Sequence, residues 1–234
     1  MGGTGGQGQA GKGMGGSNAT GGGAGSSTAG MPPTAAECEE ACAGIGECQG
    51  ALCVVTCDED EPCNSAIKCP AGLPCQIDCT APGACSSGID CHESTTCVVN
   101  CAAENSCAGK VTCSGSSCEV RCTKQGSCMN ELRCDADDCA LRCEGTNSCP
   151  GKVSCGATTS ACLIECSGEH ACQNLIESGA MQETRISCAA GNCPGRITCG
   201  GDMCQVSCNG ISCSGGVCCK ADECNLGEIA ADCP

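Results

Sequence analysis

From residue 53 onward, apolar and polar positions alternate in short bursts. Val55, Ile77, Val99, Val120, Leu141, Ile164 and Val206 each sit midway between two cysteines spaced four apart, as in CVVTC at 53–57, CALRC at 139–143 and CQVSC at 204–208. A second apolar column, Ile67, Ile89, Val111, Leu132, Val153 and Ile197, lies two residues before another cysteine. Alternation with period two is the signature of a strand with one buried face. Each unit therefore predicts two short strands whose inward faces carry cysteine and a mostly β-branched aliphatic. Segments such as APG, ENS, KQG and GTN separate them, rich in residues that tolerate tight turns.

The units recur every 21 to 23 residues as C-x3-C-x5-C-x5-C plus a short connector, with Cys118, Cys122, Cys128 and Cys134 forming one complete example. Self-similarity at this period predicts an all-β, disulfide-rich repeat solenoid of β-helix type. About nine rungs, spaced by about 4.8 Å, would make a rod near 40–45 Å long. The expected organisation is a disordered Gly/Ser-rich tether over 1–36, the cysteine-rich solenoid over 37–218 and a C-terminal cap over 219–234. The tether's composition leaves nothing to offset the entropy of ordering.

The stretch CQNLIESGAMQETRISC at 172–188 breaks the cysteine rhythm and also explains it. In register, Ile176 and Ile186 fall in the two apolar columns, Ser178 takes a fourth-cysteine position and Thr184 takes the first-cysteine position of the next unit. Two neighbouring absences are accounted for if fourth and first cysteines pair across the connector. Independent loss of both is the alternative.

The pairing rule gives Cys69–Cys75, Cys91–Cys97, Cys113–Cys118, Cys134–Cys139, Cys155–Cys162 and Cys199–Cys204. The remaining second and third cysteines then pair within each unit, as Cys57–Cys63, Cys79–Cys85, Cys101–Cys107, Cys122–Cys128, Cys143–Cys149, Cys166–Cys172, Cys188–Cys193 and Cys208–Cys213. At the N-terminal end the same logic suggests Cys38–Cys53, and at the other end Cys218, Cys219, Cys224 and Cys233 close among themselves. Spacing alone leaves other connectivities open.

Composition changes the picture in two ways. The chain has 36 Cys in 234 residues and no Phe, Tyr or Trp, so bridges, each worth about 2 kcal/mol on the loop-entropy account, stand in for an aromatic core. Bridges in that number need an oxidising compartment, which points to the extracellular medium or cell surface, or to an outer membrane or periplasm in a bacterium. Residues 1–13 contain no apolar stretch of a leader peptide, so the export signal is expected to lie outside the sequence, with a lipid anchor upstream of the tether as one option. No run of 18 apolar residues occurs, and no transmembrane segment is expected. A net charge of −16 without aromatic stacking residues argues against nucleic acid, leaving a surface glycan or a protein as the partner class.

Candidate chemistry is sparse. A metal-thiolate protein is the main rival reading, because cysteine without aromatics is also the composition of metallothioneins. Their closely spaced C-x-C and C-x2-C ligands are missing here, and no cofactor or metal site is expected. His92 and His170 lie outside any HExxH pattern, and no GxSxG elbow is present, so a catalytic site is not expected either. The acidic groups Asp58 to Glu61, and Asp135 with Asp137 and Asp138, could chelate Ca²⁺ weakly but match no calcium-loop spacing. An ice-binding face would need an aligned threonine column, whereas the outward positions Thr56, Asp78, Asn100, Arg121, Arg142, Glu165 and Ser207 are mixed. A secreted inhibitor or toxin-like module would need one distinctive loop, for which 173–187, with Leu175, Met181 and Arg185, is the candidate.

Phrases such as NSCAGKVTC at 105–113 and NSCPGKVSC at 147–155 carry a likeness. The repeat over 38–218 resembles the cysteine-rich arrays of secreted and lipoprotein-anchored bacterial surface proteins, which also follow a Gly/Ser-rich stretch. The resemblance implies surface display and imports no activity. Together these readings predict a non-catalytic structural, adhesive or protective element.

Overall fold

The computed structural model describes residues 33–189, 191–209, 213–227 and 233. Of the tether expected over 1–36, residues 1–32 lie outside the described residues.

Two parallel sheets face each other across a narrow interior. The wider one carries nine parallel strands, Leu52–Cys57, Cys75–Cys79, Thr96–Cys101, Ser117–Cys122, Asp138–Cys143, Ala161–Cys166, Glu183–Cys188, Met203–Cys208 and Glu223–Asn225, each beside its neighbour in sequence order. The narrower one carries eight, Ile67–Lys68, Ile89–Cys91, Val111–Cys113, Leu132–Cys134, Val153–Cys155, Ile176–Ser178, Ile197–Cys199 and Val217–Cys219. Chain order alternates between the sheets, so the chain is a β-solenoid of eight turns, with Glu223–Asn225 opening a further one. The stack of eight spacings is roughly 38 Å long.

Register is strict because both apolar columns must stay inside. Val120, Leu141 and Ile164 stand side by side in the wide sheet, and Leu132, Val153 and Ile176 in the narrow one. Ile77, Leu132, Leu141, Ile164, Ile176, Ile186 and Ile197 are fully buried. Turn length is less strict. Thr184, Cys204 and Cys224 occupy one register position, so the last two turns advance by 204 − 184 = 20 and 224 − 204 = 20 residues, below the 21 to 23 read from the earlier units. Small residues let successive turns close up: a Cβ on Gly151 would lie 2.4 Å from the Asn130 carbonyl oxygen below it.

The N-terminal end departs from expectation. Cys38, Cys42 and Cys48 do not form a ninth rung; Ala35–Cys42 is an α-helix, and Glu47–Gln49 pairs antiparallel with Leu52–Cys57. Local physics explains the change. The segment AAECEEAC is rich in good helix formers and has no β-branched residue between its cysteines. Its four-residue spacing places Cys38 and Cys42 on one buried helix face. Thr34 caps the helix: its hydroxyl accepts from the Glu37 N–H at 3.3 Å, while the Thr34 N–H donates back to the Glu37 carboxylate at 2.7 Å. The expected Cys38–Cys53 pair is replaced by Cys38–Cys48 and Cys42–Cys53, because the helix presents one sulfur to each strand of the hairpin. Thr34, Ala35 and Ala36 thus belong to this cap rather than to the tether.

At the other end, Val217–Cys219 and Glu223–Asn225 continue both sheets into the segment expected to be a separate cap. The rest of that segment, 228–232 and 234, lies outside the described residues.

Hydrogen bonds from Thr34 hold the Glu37 carboxyl below its usual range. A depressed carboxylate stabilises above its unfolded-state pKa and loses that contribution as pH falls through the lowered folded-state value. Thr34→Ala is expected to cost about 1 kcal/mol in the helix cap. Faster amide hydrogen exchange confined to Ala35–Cys42 at neutral pH would show it, and acidification of the native chain should loosen the same amides.

Candidate functional site

The interior is the part of this molecule with distinctive chemistry, and it is made of sulfur. Fourth-position cysteines join the first of the next turn at Cys69–Cys75, Cys91–Cys97, Cys113–Cys118, Cys134–Cys139, Cys155–Cys162 and Cys199–Cys204, and Cys219–Cys224 continues this column. A second column runs Cys57–Cys63, Cys79–Cys85, Cys101–Cys107, Cys122–Cys128, Cys143–Cys149, Cys166–Cys172, Cys188–Cys193 and Cys208–Cys213. Cys218 pairs with Cys233, and no cysteine is free. Each turn with four cysteines is therefore closed at both corners.

The corners explain residue choices that the apolar pattern leaves open. In seven turns the third cysteine adopts a left-handed backbone, with φ between 49° and 57°, as at Cys63, Cys107, Cys149 and Cys193. In all but the first of these turns the position two residues earlier is left-handed as well, filled by Gly83, Asn105, Gly126, Asn147, His170 and Gly191. Glycine and asparagine accept this conformation with least strain. His170 thus occupies a turn position, and its exposed ring lies 3.8 Å from Glu169. His92 is also exposed, with its Nδ1 3.1 Å from the Ser114 hydroxyl. The structure does not bring the two histidines into a common site with a nucleophile.

Between these two left-handed residues runs a buried column of Ala84, Ser106, Ser127, Ser148, Ala171 and Asn192. The Ser106 and Ser127 hydroxyls donate to the Ala103 and Lys124 carbonyls at 2.7 Å, and Asn192 donates to the Cys166 carbonyl at 2.9 Å. The Ser148 hydroxyl has no partner among the described residues.

The missing bridge is replaced by a hydrogen bond. Ser178 and Thr184, both buried, meet hydroxyl to hydroxyl at 2.7 Å. Ile176–Ser178 and Glu183–Cys188 are regular strands, paired on both sides. The 173–187 stretch is thus an ordinary turn of the solenoid and not a protruding binding loop. Met181 is exposed, and Arg185 pairs with Glu183.

Outside, the strand surfaces carry cross-turn polar pairs. Asn100 donates across turns to Asp78, which also accepts from Gln76 of its own strand, Arg142 bridges Glu119 and Glu165, and Lys152 meets Glu177. The acidic groups considered for Ca²⁺ lie in corners. Asp58 accepts the N–H groups of Asp60 and Glu61 at 3.0 Å each, and Asp135 pairs with Arg133.

What the sequence did not disclose is how near the sulfurs of different turns come. The sulfurs of Cys57, Cys79 and Cys85 lie within 4.8 Å of one another, as do those of Cys101, Cys107 and Cys128, although 22 and 21 residues separate turn from turn (79 − 57 and 128 − 107). Cys69 and Cys91, from successive bridges, approach to 3.5 Å. Linear ligand spacing carries no signal for this, since stacking and not chain proximity creates it.

No family model, curated protein or solved structure matches the chain. Among the described residues no helix is long and apolar enough to cross a membrane.

Two outcomes follow from this geometry. Ser178→Cys combined with Thr184→Cys should form one more bridge and add about 2 kcal/mol on the loop-entropy account; mass spectrometry would show two more hydrogens gained on reduction than in the native chain. Ser148→Ala should be neutral or stabilising, whereas Ser106→Ala should cost about 1 kcal/mol by removing a satisfied buried hydrogen bond. Denaturant midpoints of the two variants check this.

Proposed function

We propose that the chain is a non-catalytic structural element of the cell exterior, secreted or surface-anchored, which serves as a rigid and protective spacer. The observation that carries this reading is the bridged interior: a solenoid closed by two bridges in every turn but the one at Ser178 and Thr184 suits a stable extracellular protein in an oxidising compartment. Short covalent loops limit the local unfolding that proteases need. Charged pairs spread over the strand surfaces, together with a net charge of −16, favour solubility over self-association. The absence of aromatic residues disfavours an adhesive role through sugar stacking, so spacing and protection are preferred to adhesion.

The test begins with the intact mass of exported protein, before and after reduction with thiol alkylation, alongside a metal assay. Full bridging predicts a gain of 36 hydrogens, with no free thiol and no bound metal beforehand. All basic residues except Lys12 lie beyond residue 33, so 11 − 1 = 10 potential trypsin sites fall in the bridged part. These should resist trypsin in the native chain and be cut readily once it is reduced. Free thiols with stoichiometric zinc or copper would overturn the reading in favour of the metal-thiolate class, and rapid cleavage of the oxidised chain would remove the protective role.

A further inference from the structure

The column of second-to-third bridges is buried through its interior turns and becomes half-buried only at its ends, at Cys63 and at Cys208 and Cys213. Cys63 is set apart by its surroundings. It lines a cleft of about 800 Å³ together with the exposed Glu47, Asp60 and Glu61 and the half-buried Asp58. None of these carboxylates has an ion-pair partner among the described residues. Its bonded partner Cys57 is fully buried, and the Cys57 sulfur lies within 4.8 Å of both sulfurs of the next bridge, Cys79–Cys85.

We propose that the Cys57–Cys63 bridge is a thiol-exchange site that accepts small cationic thiols, and that its buried half passes the thiolate to the next turn of the solenoid. In the first step an external aminothiolate attacks the Cys63 sulfur. The Cys57–Cys63 bond breaks, a mixed disulfide forms on Cys63, and the electron pair of the broken bond leaves with Cys57 as a thiolate. In the second step Cys57 attacks one sulfur of Cys79–Cys85. A Cys57–Cys79 or Cys57–Cys85 bond forms, and the other cysteine of that pair is released as a thiolate. Each step conserves the number of disulfides and thiolates, and the proton of the entering thiol goes to the buffer.

Electrostatics decide which thiol enters. A thiolate approaching four unpaired carboxylates is repelled, and glutathione, with its net negative charge, is repelled further. An ammonium group cancels the charge of the attacking thiolate and makes the parent thiol cationic, so this reagent is not repelled and is concentrated in the cleft. Burial explains the hand-over. Free thiolate at Cys57 is desolvated, so exchange with a sulfur already in reach outruns attack by bulk reagents, which have no access. The proposal stands on the sulfur geometry and does not depend on the chain serving as a surface element.

Limiting cysteamine or glutathione added to the oxidised protein, followed by acid quench, alkylation and peptide mapping, tests both steps. The exposed Cys224, in the Cys219–Cys224 bridge, is the internal reference. The cysteamine-to-glutathione rate ratio should be about tenfold higher at Cys63 than at Cys224. Combining Glu47→Gln, Asp60→Asn and Glu61→Gln should bring the two ratios together while leaving the Asp58 turn intact. The mapped products should include a Cys57–Cys79 or Cys57–Cys85 bridge. A ratio at Cys63 no greater than at Cys224 overturns the cationic selectivity, and alkylation confined to Cys57 with Cys79–Cys85 intact overturns the hand-over.

Discussion

In-register parallel stacking at a single inter-strand spacing is the constraint on which the rest of this structure depends. A strand in such a stack finds its backbone partners only in the turns above and below it, so every turn must offer the same kind of residue at the same place. Leu132 follows Val111 and precedes Val153 for this reason, and Cys139 stands between Cys118 and Cys162. The interior between two such narrow sheets holds little more than one aliphatic column from each. Apolar burial alone is then meagre for a domain of this size, and the corner bridges supply the remaining restraint on the unfolded chain. The same stacking lines sulfur up above sulfur, which is how cysteines distant in sequence become neighbours in space.

The corners show how the restraint is made compatible with chain geometry. A turn tight enough to return a six-residue loop onto its own bridge uses two left-handed residues in most of the stack, and the second of them is itself a cysteine. Left-handed backbone costs a residue with a Cβ on the order of 1–2 kcal/mol. The strain is tolerated because the bridge closes at that point. Asn105, Asn147 and His170 stand where Gly83, Gly126 and Gly191 stand in other turns, so the backbone requirement persists through changes of side chain.

Most of the repeating architecture was legible in the sequence because period-two alternation and cysteine rhythm both report directly on which side chains point inward. The Ser178 and Thr184 substitutions were informative for the same reason, since a position can change chemistry without leaving its register. The N-terminal cysteines misled because C-x3-C fits two geometries. It suits a strand when the middle residue is Val55, and a helix face when the intervening residues are Glu39, Glu40 and Ala41. The expected first rung and the Cys38–Cys53 pair both failed on that ambiguity. The stacked sulfurs and the cleft at Cys63 had no linear signature, because they arise from residues of different turns or from the junction of hairpin and solenoid.

The placement of the bridges also fixes how far the chain can be drawn out under load. Between Cys118 and Cys139 a turn spans 21 residue steps, of which the Cys122–Cys128 and Cys134–Cys139 bridges bypass 6 and 5. Only 21 − 11 = 10 steps remain in the load path, or roughly 35 Å at full extension. The two bridge spans add 6.0 Å each, giving about 47 Å, against roughly 74 Å for the same residues without bridges. A strand peeled from the stack by shear would therefore go taut after a short travel, and the tension would then fall on covalent bonds.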